Sequence, residues 1–441
     1  FSTTPTAASS VSRWIRMGMA FSRRRRLHSV TSGALGAPLV VLMLLAPLAH
    51  AQPPALNVPE VAAEQEDPVA SAPVRLGPVG LAPTIAITNL GVDTNVFHRA
   101  SASDSDFTAT LTPATAAWLR TADGLLSMNG SVDFVYFGQF KSERSVNGRG
   151  QARYEYRFNR LTPFVAASAL STRARPGYEI DARARRQEYD LAAGIELRAL
   201  SRTSVALAAR RRTVDFAGDA IFMGTSLEER LNRRVEGVDL AVRQRLTPLT
   251  TAVVRASGER HRFDLNSIRN TDSFHLTTGF ELDQFALIRG RAFVGYRRLT
   301  PAGGGGLPGF SGATADIDVA YTAPTDTRLS LGVSSDVNYS FELEYPYYVQ
   351  TGWTISVLQR LTSRWDVLVR GGHDRVGYRG ESALVPGQRV DFVDHVGGGI
   401  GYQLGHDTRL GFDVLSYHRR TDLPDRGYRA IRSGLSVTYG F

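Results

Sequence analysis

From Thr84 onward, apolar and polar residues trade places at every second position, in stretches about 10–15 residues long. "RYEYRF" sets Tyr154, Tyr156 and Phe158 on one face and Arg153, Glu155 and Arg157 on the other. "EGVDLAVRQR" sets Val238, Leu240 and Val242 against Asp239, Arg243 and Arg245, and "RWDVLVRG" sets Trp365, Val367 and Val369 against Asp366 and Arg370. A period of two is the signature of a strand, because successive side chains leave the backbone on opposite faces. Short connections punctuate the stretches: "RLTP" at 160–163 and 245–248, "RLTS" at 360–363, "PTDT" at 324–327 and "GHDT" at 405–408. They alternate with longer segments such as "ARPGYEIDARAR" and "AGGGGLPGFSG". The pattern predicts eighteen strands, the first at 84–97 and the last at 428–441, joined by eight short turns and nine long loops.

Strands of this length are about twice those of a soluble sheet and suffice to cross a bilayer when tilted. The polar faces are also too charged for a sandwich, in which two sheets share one dry core. An apolar face suits lipid and a charged face suits a watery lumen. Lipid further demands that no sheet edge stay open, so the last strand must pair with the first. The predicted fold is therefore all-β: a single-chain antiparallel transmembrane β-barrel over residues 84–441.

The segment before it is of another kind. "SRRRRLHSVTSGALGAPLVVLMLLAPLAHAQ" has a basic run, an apolar core of about 15 residues and Ala49-His50-Ala51, the layout of a secretory signal over residues 1–51. Residues before Met17 stand outside that layout, and the true start is expected at Met17 or Met19. Residues 52–83, rich in Pro and Ala with Glu60, Glu64, Glu66 and Asp67, read as an extended periplasmic arm, either a linker or a plug for the lumen. The formal charge of +9 belongs mostly to the signal, whose six arginines face no acid; without it 45 basic residues oppose 42 acidic ones. That balance implies no nucleic-acid partner. The absence of cysteine removes disulfides, thiolate metal sites and a cysteine nucleophile.

The secretory signal, the long alternating strands and the final Leu435, Val437, Tyr439 and Phe441 together resemble outer-membrane barrels inserted by the barrel-assembly machinery; Ser436 stands where that terminal signal usually has glycine. More narrowly, the acidic Pro/Ala arm followed by "APTIAITNLGVDTNVF" resembles the outer-membrane porins found with exopolysaccharide-export systems. The resemblance implies a Gram-negative outer membrane, contact with its lipid and lipopolysaccharide, the assembly machinery and periplasmic polysaccharide-export proteins as partners, and a polysaccharide as the transported molecule.

Alternation assigns a basic set to the lumen: Arg153, Arg157, Arg198, Arg210, Arg212, Arg243, Arg245, Arg255, Arg289 and Arg291. An acidic set follows it around the wall: Asp316, Asp318, Asp336, Asp366 and Asp374. Guanidinium groups in a row suit an anionic chain, since each binds a carboxylate or sulfate bidentately. The same side chains could equally brace the wall against one another. A conduit for an anionic exopolysaccharide, a diffusion or uptake channel for small polar solutes, and a structural or surface-binding barrel with a plugged lumen all remain open. Tyr154, Tyr156, Phe158, Trp353 and Trp365 fall on lipid-facing parity and read as an interfacial girdle. Enzyme chemistry is not expected. His373 and Asp374 are neighbours on a strand and point to opposite faces, while His406 and Asp407 sit in a turn. No phosphate or calcium loop and no paired-histidine spacing calls for a cofactor or metal.

Overall fold

The structure is a computed structural model that describes residues 68–283, 285–302, 307–324, 326–380 and 389–440. The expected signal, the first half of the arm and the terminal Phe441 lie outside the described residues.

Eighteen long strands form the wall. The first nine are β1 (Val79–Asp93), β2 (Asp106–Arg120), β3 (Gly124–Phe137), β4 (Ser145–Tyr156), β5 (Leu161–Thr172), β6 (Arg186–Arg198), β7 (Thr203–Phe216), β8 (Arg233–Thr247) and β9 (Thr250–Phe263). The second nine are β10 (Thr271–Leu282), β11 (Ile288–Pro301), β12 (Phe310–Thr322), β13 (Thr327–Tyr339), β14 (Tyr347–Arg360), β15 (Trp365–Arg379), β16 (Val390–Leu404), β17 (Thr408–Arg420) and β18 (Tyr428–Gly440). Each pairs antiparallel with its neighbour in sequence, and β18 returns to β1, from Thr84↔Gly440 to Asp93↔Arg432. The sheet is a closed barrel. Closure satisfies the backbone groups of the first and last strands, as a hydrocarbon surrounding requires.

The seam is built with care. Asn89 takes a left-handed backbone (φ 53°) and the register slips between Ile87 and Leu90, a bulge on β1. Beside it, a Cβ on Gly91 would lie 2.0 Å from the Ser433 carbonyl oxygen, so only glycine lets the two strands close there. Arg432 then donates to Asp93 across the seam at 2.8 Å.

Large apolar side chains cover the outside: Ile85, Leu191, Val238, Val294, Val369, Val396 and Leu435 are all exposed, while the residues between them turn inward. Trp365 and Tyr402 meet on this outer face at 4.9 Å, at the short-turn end, where an aromatic girdle belongs. β1 begins at Val79, five residues before the expected boundary. Residues 74–76 double back on it, and Val69 and Ala72 pack with Ala82, Ala116 and Trp118 against the inner wall. The end of the expected arm thus lines the mouth at the short-turn end.

Among the described residues, two loops and one hairpin depart from a simple tube. The connection 173–185, after β5, reaches across the lumen. The connection 217–232 holds a short hairpin and α1 (Leu227–Leu231), whose Leu227 and Leu231 are buried. β12 and β13 pair only from Thr322↔Arg328 to Ala315↔Ser335. Above that point β13 leaves the wall with β14 and turns inward. Val337, Tyr339, Phe341 and Tyr347 pack there against Phe216, Phe263 and Leu299, inward residues of β7, β9 and β11.

Candidate functional site

The lumen has two unlike halves. The half toward the long loops is packed. Its apolar cluster joins the β13–β14 tip to Ile180 and Ala184 of the 173–185 loop and to Phe222, Leu227 and Leu231 of the 217–232 loop. A second cluster joins Tyr348, Val376 and Tyr378, with Tyr178 and Tyr345 against them. Charged groups lock the parts together. Arg419 bridges Asp181 at 2.7 Å and Asp391 at 2.6 Å, and Arg426 donates to the Glu179 carbonyl. Ser340, on the β13–β14 tip, donates to the Glu179 carboxylate, and Arg175 and Arg183 donate to the Val96 carbonyl at 2.6 and 3.2 Å. The loop that leaves β5 therefore touches β17 and the tip of β13, the latter eight strands around the wall.

Burial dominates the ionisation of this loop. The Glu179 carboxyl is desolvated, and Glu342 nearby adds repulsion; both oppose its charge, and Ser340, Arg426 and Arg269 only partly compensate, so its pKa is pushed up to about 8. His98, stacked on Tyr428 at 4.0 Å, is held well below the usual imidazole range by burial and by Arg175, Arg432, Arg183 and Arg419.

The half toward the short turns carries the wall-borne arginines. Arg153, Arg198, Arg243, Arg245, Arg255, Arg289 and Arg291 all stand on inward positions near the short-turn ends of their strands. Arg210 and Arg212 sit higher on β7 and are matched with β6: Arg210 forks onto Asp190 with 2.9 Å contacts, and Arg212 meets Glu188 at 2.5 Å. Arg243 approaches Glu281 at 3.7 Å across an intervening strand, and Arg291 meets Asp316 at 3.1 Å. Arg255 lies over Phe293, 5.6 Å from the ring centre, and among the described residues no carboxylate comes within ion-pair distance of it. Arg157 lies beyond the end of β4, with 59% of its side chain exposed, beside Glu155.

The five aspartates do not share one depth. Asp366 is at the short-turn end of β15 and is held by Arg409 at 2.6 Å; Asp316 and Asp318 are midway along β12. Asp336 meets Arg297 at 3.3 Å near the packed half, and Asp374 accepts from Gln350 at 3.2 Å. Inward Arg328, Arg370 and Arg409 stand among these aspartates, and inward Glu188, Asp190, Glu196, Asp239, Glu259 and Glu281 stand among the arginines. The charges alternate more finely around the wall than two opposed arcs. Leu435, Val437 and Tyr439 point outward from β18 beside β1 and β17. His373 makes no contact with Asp374; it pairs across strands with Asp394 at 2.6 Å, on the outer face.

Sequence patterning missed the interior tyrosines. The stretch "EYPYYVQ" breaks strict alternation with three tyrosines around Pro346, and that break is the one local sign of the inturned tip.

Residues 67–441 match the model of the family described as "Putative beta-barrel porin 2". The chain belongs to that porin family. No curated protein sequence matches it. Among solved structures, the porin is similar to a BenF-like porin from Pseudomonas fluorescens Pf-5, with a TM-score of 0.48 at 9% identity, covering 83% of this chain and 99% of that one. It is likewise similar to the outer-membrane protein OpdK of Pseudomonas aeruginosa, with a TM-score of 0.44 at 11% identity over 82% and 98% of the two chains. The porin is an outer-membrane β-barrel channel of a Gram-negative bacterium.

Proposed function

We propose that this porin is a constricted, charge-selective channel for small polar solutes that carry negative charge. The observation that carries the reading is the contrast between an arginine-lined half and a half narrowed by the 173–185 loop and the β13–β14 tip. A small carboxylate can exchange among guanidinium groups that already share their partners, each contact weak enough to release it. The braced pairs also keep the wall rigid, so bracing and conduction are compatible roles for the same arginines.

Export of an anionic exopolysaccharide is the second reading. It draws on the resemblance of the arm and first strand to export-associated porins and on the length of the arginine row. It requires the loop and the tip to swing out together, since a polymer needs a continuous wide path. Single-channel conductance of the refolded protein in a planar bilayer separates the two. Brief blocks by small mono- and dicarboxylates, with none from uronic-acid oligosaccharides, support the small-solute channel. Long blocks by acidic oligosaccharides, weakened by Arg243→Glu with Arg289→Glu, favour the polymer conduit. Absence of any current from a folded barrel sinks both and leaves a plugged structural barrel.

A further inference from the structure

The outer face of the barrel carries a cationic patch at the long-loop end of β15–β18. Two adjacent cross-strand rows form it. One runs Arg375, Phe392, Arg420; the other runs His373, Asp394, His418, Arg429. The positions share the outward parity of Val369, Val396, Val414 and Ile431, the exposed apolar residues directly below them. The patch thus sits just above the lipid-facing band, at the level of the outer-leaflet headgroups.

Its geometry is organised. Asp394 accepts from His373 at 2.6 Å and from Arg420 at 2.8 and 3.1 Å, and Phe392 has the His373 ring stacked on it at 5.6 Å and the Arg420 guanidinium 5.4 Å from its centre. One acid and one ring hold the two basic groups side by side. Among the residues of these two rows, three arginines and two histidines stand with one carboxylate, Asp394, which His373 and Arg420 contact. Elsewhere the same belt neutralises itself: across β7–β10 the outward row reads Arg211, Glu236, Arg260, Asp272, with alternating sign, and Arg262 binds Asp272 at 2.8 Å. The rows on β15–β18 carry more positive charge than this one.

We propose that this patch binds the phosphate of a phosphorylated glycolipid in the outer leaflet, with its acyl chains against Val369, Val396, Val414 and Ile431. Guanidinium groups chelate phosphate through paired N–H donors, and the headgroup level is where such phosphates lie. Sugar hydroxyls of the headgroup can meet His418 and the rim of the patch.

The test is native mass spectrometry of the full-length protein purified from outer membranes, titrated with bisphosphorylated lipid A, with its dephosphorylated form, and with phosphatidylglycerol. The expected result is binding of the bisphosphorylated glycolipid that falls about tenfold or more in Arg375→Ala/Arg420→Ala/Arg429→Ala. Arg211→Ala/Arg260→Ala/Arg262→Ala, in the self-neutralised sector, leaves it unchanged. Should the patch variant fail to fold, Arg429→Ala alone, at an exposed position, carries the same expectation with a smaller drop. Equal binding by the patch variant, equal binding of the dephosphorylated lipid, or equal competition by phosphatidylglycerol overturns the proposal.

Discussion

The two halves of the lumen use the same residue types to opposite ends. Toward the short turns, arginines and acids stand on the wall itself, each pair joining strands that are neighbours or one strand apart, as with Arg409 to Asp366 and Arg243 to Glu281. Toward the long loops, charged groups join parts of the chain far apart around the wall, as with Arg419 to Asp181, and they do so inside a cluster of buried aromatic and aliphatic side chains. Wall pairs line the barrel and tie nearby strands together, with Arg243 among them almost fully buried at 2% exposure. Loop pairs fill the lumen. The difference teaches that lumen charge alone does not make a pore; what decides is whether the partners lie along the wall or across it.

Replacing residues 174–184 by a short Gly/Ser linker is the strongest way to break the contrast. The wall strands keep their register, so the barrel still assembles, while the packed half loses the segment that spans it. Single-channel conductance is expected to rise several-fold. An unchanged conductance would mean that the β13–β14 tip alone sets the constriction, and the same experiment with the tip shortened then decides.

Glu179 offers a reversible version. Its pKa in the docked loop is about 8, above that of an exposed glutamate, so the docked state binds the extra proton. Docking is therefore most favourable below the free glutamate value and loses stability as pH rises through about 8. A shift of this size corresponds to about 4–5 kcal/mol between acid and alkaline limits. Open probability is expected to climb between pH 6 and pH 9, and Glu179→Gln should flatten the profile. A profile that stays steep in that variant would place the titration elsewhere.

How much of this was legible follows from how local each feature is. Every wall strand shows in the sequence because alternation is a property of neighbouring residues, and short turns such as "RLTP" at 160–163 and 245–248 mark strand ends, although the same tetrapeptide at 298–301 lies inside β11. The register between strands is not local, so nothing in "EGVDLAVRQR" says that Arg243 will reach Glu281 rather than a closer acid. The inturned loops are less local still. Val337 and Tyr339 keep the parity of lipid-facing Leu329 and Leu331, yet they are buried, because β13 abandons β12 above Ala315 and its outer face turns onto β9 and β11. Alternation assigns a face relative to the strand; it says nothing of where the strand goes. Alternation likewise separates His373 from Asp374 onto opposite faces, whereas the pairing of His373 with Asp394 needs the β15–β16 register.

On the wall half, the expected effects are smaller and electrostatic. Arg255→Glu replaces a guanidinium that stacks on Phe293 and lies near Arg243 and Arg291 with a carboxylate, so the local field reverses while the backbone is untouched. Reversal potential in a salt gradient should move toward cation selectivity, with conductance altered less than twofold. No shift would indicate that ions take a path away from β9.

Arg157 sets the floor of the comparison. It has the sequence signature of the lumen arginines, but it stands past the end of β4, largely in solvent, with Glu155 at 3.6 Å as its ion-pair partner. A pair so exposed contributes at most a few tenths of a kcal/mol, and salt screens it. Arg157→Ala should leave thermal unfolding and conductance unchanged and trim anion selectivity slightly at low ionic strength, where the Debye length reaches about 30 Å at 0.01 M. If the variant instead loses selectivity as strongly as Arg255→Glu, the rim and not the inner wall of β8–β11 sorts the ions, through the field of the short-turn mouth.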